Sequence, residues 1–491
     1  MTDVPNGFTG LTRDDEEFES AADASRRMHE AIAAGREFTW SKPQPEEEKP
    51  AASNVVQGVF GKSSASNDDD DSESAQGKAG GATLEAALGA EAGAGEEAVK
   101  ALEFDYEELE DMPEPDKRWA WAEINLSAIR HNVAITRRYL DSRTRLMAVV
   151  KADAYGHGAV QASKAMLGAG AERLAVSTVQ EGVELRKAGI TAPIVVLDQP
   201  AATSLPLLVA YNITPSVSEP DFAIAYGEMA DLHGMMAPYH LAVNTGMNRV
   251  GVPFRDAVEF LQAVSFHRAL ELEGVFTHFA TADWAETLDL QVQARRFMET
   301  LESISAAGFD PGLVHAANSA ATYRFPDIHF NMVRCGLSLY GIHPCEATRD
   351  RVDLRPAMSV HARIIDTHIV PVSEGVSYGY QYRSPGSVKI CTLPIGYGDG
   401  LRRCLSGNID FIMDGHYYPQ VGAICMDQCM FEVDLRNRRR LTLDPQIGEH
   451  VIIVGEQGAA AITIDELAEK AGTVPDEITV GFGQRLARVY R

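Results

Sequence analysis

From Trp119 onward, short apolar runs alternate with stretches whose apolar residues recur every three or four positions, the pattern of strands followed by amphipathic helices. Strands are predicted near 145–151, 173–178, 194–198, 213–217, 239–245, 272–278, 313–317 and 332–337, with helices between them, for instance 180–188 and 288–307. Eight successive strand–helix units predict a closed (β/α)8 TIM-type barrel in an α/β chain rather than an open sheet. An earlier strand at 119–126 precedes this count, with Ser127 placed to cap a helix beginning at Ala128. Beyond residue 358 the repeat stops. Short β-rich runs (SVHARIIDTHIV, SVKICTLPIG, HYYPQVGAICM, HVIIVG) broken by Gly, Pro and Asp take over, with one late helix at 464–471. The second domain is therefore predicted to be mainly β and to span 359–491.

Composition changes the picture at the N-terminus. Residues 1–116 hold nine Lys+Arg against 29 Asp+Glu, so they carry −20 of the net charge of −26 and leave −6 for the rest. An Asp run at 68–71, Ser/Gly/Ala-rich flanks and proline clusters predict a disordered acidic extension over 1–116, with local helical tendency at 14–38 and 84–109. The acidic-aromatic string at 102–106 reads as part of a solubilising tail rather than a docking segment. The barrel domain then covers 117–358, its strand at 117–126 packing with the C-terminal domain. Neither half offers the basic patch that nucleic acid or an anionic membrane requires. The start lacks a basic region followed by an apolar one, which implies a cytoplasmic protein. The six cysteines form no CxxC pair, so no structural metal site is expected and the thiols read as core fillers.

Candidate chemistry falls on one end of the predicted barrel. Lys151, in VVKADAYGHG, ends the first strand before a glycine-bounded turn; an ammonium partly removed from water there becomes an amine able to attack a carbonyl. Arg249 follows the fifth strand, His278 ends the sixth, Asn318 and Ser319 follow the seventh, and Arg334 lies in the eighth. Singly, each has a dull explanation as a core or surface residue. Together they occupy the C-terminal rim, where barrels of this kind build their active sites.

VVKADAYGHG, NTGMNRVG, GVFTHFATAD, NMVRCGLSLYG, EGVSYGYQY, AICMDQ and the closing ARVYR agree in order with one family, and from about Trp119 to Arg491 the chain resembles the alanine racemases. The resemblance implies a homodimer dependent on pyridoxal 5'-phosphate (PLP) that interconverts L- and D-alanine for peptidoglycan. It implies that Lys151 holds the cofactor and that Tyr155, Asn318, Ser319, the backbone of Gly336 and Leu337, and Tyr490 line its phosphate site. His278 then lies beside the pyridine ring, and Arg334 faces the pyridine nitrogen. Lys151 and Tyr378 become the two bases, Tyr378 arriving from the other subunit together with Met426, while Arg249 anchors the substrate region. One position departs from the family. Many relatives brace the arginine matching Arg249 with a carbamylated lysine, where this chain has Ala242; Asn244, Asn248 or a bound anion is left to fix Arg249, or it is less firmly held. A racemase of broader specificity, a decarboxylase of the same fold and a non-catalytic PLP carrier or scaffold are the competing readings. The decarboxylases carry a glutamate where Arg334 stands, and the carriers lack the β domain.

Overall fold

The computed structural model describes Pro113, residues 117–435 and residues 444–491; the predicted acidic extension and its two helical stretches otherwise lie outside the described residues. Strand β1 (Ala120–Ile124) comes first. Eight parallel strands then close a ring: β2 (Arg145–Val149), β3 (Arg173–Val176), β4 (Ile194–Val196), β5 (Thr214–Val217), β6 (Ala237–Asn244), β8 (Leu270–Phe276), β9 (Leu313–His315) and β10 (Met332–Cys335). The short β7 (Val252–Pro253) only adds to β6. Pairing of β10 with β2, Arg334 opposite Met147, and of β5 with β6, Ser216 opposite His240, completes the barrel. These strands read as near-continuous apolar runs because helices cover one face and the barrel interior the other. All eight lie where the sequence predicts them, to within two residues at either end: β6 and β8 begin two residues early, β5 begins one late, and the other strands end two residues short.

Helix starts follow local chemistry. The helix Leu126–Tyr139 is capped by Asn125, whose side chain accepts from Ala128 N at 2.9 Å, so Ser127 is not the cap. Asn125 wins because its backbone stays extended while Ser127 already lies inside the first turn. Thr178 and Glu181 form a reciprocal capping box for Val179–Lys187.

The remaining strands form a mainly β domain: β11 (Met358–Arg363), β12 (Asp366–Val370), β13 (Gly375–Val376), β14 (Tyr382–Arg383), β15 (Val388–Leu393), β16 (Asp410–Met413), β17 (His416–Val421), β18 (Cys429–Asp434), β19 (His450–Gln457), β20 (Ala460–Ile462) and β21 (Ala487–Tyr490). Both chain segments that flank the barrel end in this sheet. β1 pairs antiparallel with β11 and parallel with β21, Ile124 opposite Tyr490. The C-terminal strand is thereby brought back beside the barrel rim. A helix not foreseen in the sequence, Pro475–Gly481, follows the expected one at Ile464–Ala471 and packs on the turn after Lys151.

Candidate active site

The half-buried Lys151 follows β2 after a single intervening residue, Val150, and opens a turn of unusual backbone. Ala152, Asp153, Ala154 and Tyr155 all have φ between 51° and 54°. Four successive non-glycine residues in the left-handed region cost about 1–2 kcal/mol each, so the surroundings must over-determine the turn. They do so from every side. Glu181 accepts from Ala152 N at 2.6 Å, Asp153 accepts from Ala159 N at 2.7 Å, and Arg488 donates twice to the carbonyl of Gly156 at 3.0 and 3.1 Å. His157 is buried, its Nδ1 bonded to the carbonyls of Ala154 and Tyr155, and its ring stacks on Tyr340 at 4.5 Å. Two glycines let distant segments of the chain approach: a Cβ on Gly156 (φ 80°) would lie 2.3 Å from the carbonyl oxygen of Thr479, and one on Gly158 (φ 87°) 1.9 Å from the Tyr490 hydroxyl. Lys151 and Tyr155 are thus held by strain that the rest of the rim balances.

Tyr155 reaches across the barrel mouth. Its ring lies 5.0 Å from that of Tyr340, and a Cβ on Gly336 would sit 2.6 Å from its hydroxyl. Ser319 Oγ accepts from Gly336 N at 3.1 Å and sits 3.2 Å from Ser338 Oγ. Tyr155, Ser319, Gly336 and the adjoining Leu337 therefore converge where the seventh and eighth barrel strands end, and Tyr490 lies against Gly158, three residues after Tyr155. Asn318 is spent differently: its side chain caps Ser319–Arg324, accepting from Ala321 N at 3.0 Å.

Arg334 is 3% exposed and bonds to no carboxylate among the described residues. It donates to the carbonyls of Thr277 (2.9 Å) and Ala316 (3.1 Å) and to the Nδ1 atoms of His278 (3.1 Å) and His315 (3.0 Å). Burial pulls its guanidinium down to about 9, still a cation at neutral pH. Burial, reinforced by the cations of Arg334, Arg249 and Lys151, pushes His278 down to about 3, so its imidazole is neutral. Arg249 is exposed on the loop after β6, near enough for its charge to act on His278.

The remaining predicted residues stand apart. Tyr378 is 71% exposed and Met426 52% exposed, on neighbouring loops of the β domain. Ser377 Oγ donates to the carbonyl of Ala423 at 2.7 Å, and the backbone of Gly398 donates to that of Met426 at 2.8 Å, so both loops are fixed although their tips are bare. Ala242 is buried, and Asn244 and Asn248 are spent on each other (3.1 Å) and on the loop backbone rather than on Arg249.

The sequence model of the alanine racemase N-terminal domain matches residues 124–344, and that of its C-terminal domain residues 357–490. The chain belongs to the alanine racemase family. It is 40% identical over 371 residues to an alanine racemase of Synechocystis sp., covering 75% of this chain and 98% of that one. The crystal structure of alanine racemase from Bacillus anthracis with bound L-Ala-P superposes with a TM-score of 0.71 at 36% identity, covering 76% of this chain and 95% of that one. A histidine racemase from Leuconostoc mesenteroides has the same architecture, TM-score 0.69 at 28% identity, covering 76% and 98%.

Alanine racemases depend on PLP, and the rim fits that cofactor. An amine, two phenols, a serine hydroxyl, backbone N–H groups and a buried guanidinium make a set of donors suited to a phosphate and to an unprotonated ring nitrogen. One residue of this alanine racemase went unread in the sequence. Asp476, on the helix Pro475–Gly481, is half-buried; burial pushes its carboxyl up while Lys151 pulls it down, and its charge raises the Tyr155 phenol further above its ordinary value. Its only signal in the sequence is a Pro-Asp-Glu helix start, which says nothing of where that helix docks.

Proposed function

We propose that this protein is a homodimeric alanine racemase that interconverts L- and D-alanine with two bases, Lys151 of one subunit and Tyr378 of the other, supplying D-alanine for peptidoglycan. The observation that carries the reading is the convergence of Lys151, Tyr155, His278, Ser319, Gly336 and Arg334 on one barrel rim with a guanidinium, not a carboxylate, at its centre. When bound, PLP withdraws electrons from the substrate and so acidifies its α C–H bond. Lys151 would carry the cofactor; Tyr155, Ser319, Tyr490 and the backbone N–H groups of Gly336 and Leu337 would hold its phosphate, with Asn318 shaping that loop.

Arg334 would face the ring nitrogen and His278 the ring. Because a guanidinium remains charged, it offers hydrogen bonds and does not hand over a proton, which keeps the nitrogen neutral and electron withdrawal modest. That suits an enzyme that needs only brief loss of one proton. The Nζ of Lys151 takes or returns the proton on one face of the α carbon, and the phenol of Tyr378 does so on the other. Arg249 and Met426 would bound the substrate. The exposure of Tyr378 and Met426 in a single chain supports their delivery to a second copy.

A coupled assay of the purified protein with L-alanine, with and without added PLP, tests this reading; D-alanine formation that depends on PLP is expected, and its absence from a folded, cofactor-loaded protein would refute it. A second reading, broader specificity, is favoured by the likeness to a histidine racemase. Running the same assay over a panel of L-amino acids, histidine included, separates the two.

A further inference from the structure

Beneath the rim, the barrel interior carries a column of polar side chains with no part in the proton transfers above. Arg334 on β10 donates from Nη1 to Nδ1 of His315 on β9 at 3.0 Å. His315 Nε2 lies 2.7 Å from Nδ1 of His240 on β6, and His240 Nε2 lies 3.0 Å from Oε2 of Glu273 on β8. Arg173, the first residue of β3 at the N-terminal end of the barrel, donates to Glu273 Oε1 at 2.6 Å. Both histidines are fully buried. Phe276 stacks on the His315 ring at 4.9 Å and lies under the Arg334 guanidinium. Gly274 leaves room for His240, since a Cβ there would meet its ring at 2.9 Å.

The column has a direction that hydrogen-bond chemistry fixes. A guanidinium has donors only, so His315 Nδ1 must present a lone pair. Buried and pressed by Arg334, His315 stays neutral, which puts its one N–H on Nε2. That N–H points at His240 Nδ1, so His240 in turn carries its hydrogen on Nε2 and gives it to Glu273. Burial alone would raise the Glu273 carboxyl, but the bonds from His240 and Arg173 hold it down at about 2, an anion. Every donor meets one acceptor in this order, and reversing either imidazole would set two donors face to face.

We propose that Glu273, at the floor of the barrel, is the positioning residue for Arg334, acting through His240 and His315 in fixed tautomers to hold the guanidinium against the cofactor ring. The inference rests on the reading that Arg334 faces the ring nitrogen. Without the carboxylate, or with a glutamine whose single oxygen is drawn to Arg173 so that its NH2 faces His240, the His240 Nε2–H loses its acceptor, both tautomers are free to invert, and His315 can turn an N–H on Arg334. Glu273 does not touch the reacting atoms; its effect arrives only through the order of these hydrogens.

The test uses full-length, PLP-loaded protein labelled with 15N-histidine, the resonances of His240 and His315 being assigned with single His→Gln variants. Both imidazoles are expected to be neutral with the hydrogen on Nε2. Glu273→Gln should invert at least one of them, shift the visible absorbance of the bound cofactor and lower turnover by at least about tenfold, the scale of one hydrogen bond to a charged group. Glu273→Asp should restore the wild-type tautomers and most of the turnover. A wild-type protein with either imidazole cationic or protonated on Nδ1 would overturn the proposal, and that measurement stands even if Glu273→Gln fails to fold. Unchanged tautomers in a folded Glu273→Gln protein would overturn it equally. Arg334→Lys separates the two layers: if it shifts the cofactor absorbance while Glu273→Gln does not, the column falls and the placing of Arg334 stands. If neither shifts it, both fall.

Discussion

The barrel rim and the Tyr378–Met426 face of the β domain carry the two halves of one proposed site, and they are built in opposite ways. Around Lys151 the backbone is strained and every side helps to hold it: Glu181, Asp153, His157 and Arg488 bind the turn, and Arg334 gives four hydrogen bonds to buried acceptors. Around Tyr378 the loop is anchored at its base by Ser377, but the phenol itself is mostly bare. A group that must hold a cofactor is fixed within its own chain. The group proposed to serve a neighbouring chain is fixed only at the root, its tip left bare.

The largest effect is expected at the centre of the rim. Lys151→Ala should abolish cofactor-dependent visible absorbance and lower racemisation by at least about a thousandfold, within the range for loss of a catalytic base. Spectra and turnover of the purified variant decide it, and activity retained with normal spectra would remove Lys151 from the centre of the comparison. The next effect breaks or confirms the division between the two halves. Lys151→Ala and Tyr378→Ala homodimers should each be nearly inactive, yet a mixed dimer refolded from differently tagged subunits has one site with both bases intact. Activity should reappear to about half the wild-type value per dimer, by counting sites, provided the two sites act independently. If Tyr378 worked within its own chain, each site of the mixture would still lack one base, and the verified mixed dimer would stay dead.

A smaller effect probes the strain itself. Gly158→Val places a branched side chain at φ 87° and drives its Cβ into the Tyr490 hydroxyl, so it should destabilise the protein by about 1–3 kcal/mol and weaken PLP binding. Thermal unfolding and PLP titration measure both. A stable variant with unaltered affinity would mean that the turn is not what positions Lys151.

How much of this was legible beforehand divides along the same line. Barrel strands announce themselves because burial on both faces leaves a continuous apolar run, and Lys151 stood out as a lysine that ends such a run directly before a glycine-bounded turn. The left-handed turn did not, since Ala152, Asp153, Ala154 and Tyr155 contain no glycine to mark it; its causes, Glu181 and Arg488, lie far along the chain. Ser127 reads as the cap from its side chain alone, and the backbone angle that makes Asn125 the cap instead is not visible in the sequence. His240, His315 and Glu273 do not stand out in the sequence, since nothing in their spacing links them. Their order as a column exists only once β6, β8 and β9 stand side by side.

The smallest effect concerns acid and falls on the rim rather than on the exposed face. Burial lowers His157 to about 4 and His278 to about 3, whereas an imidazole in the unfolded chain titrates near 6.5. Below that value the unfolded chain takes up protons that these two native imidazoles refuse, so the unfolded state gains. Their contribution is complete above about pH 6.5 and declines as pH falls, each steepening the loss by about 1.4 kcal/mol per pH unit until its own native pKa is reached. His157 should stop contributing to the slope near pH 4, while His278 continues lower. His157→Gln is therefore expected to be less stable than wild type at pH 7.5, having lost the stack on Tyr340, yet to lose less further stability on going to pH 5. Parallel unfolding curves for the two proteins across that interval would show that His157 is protonated in the native turn, and the rim would then be open to water where its geometry says it is closed.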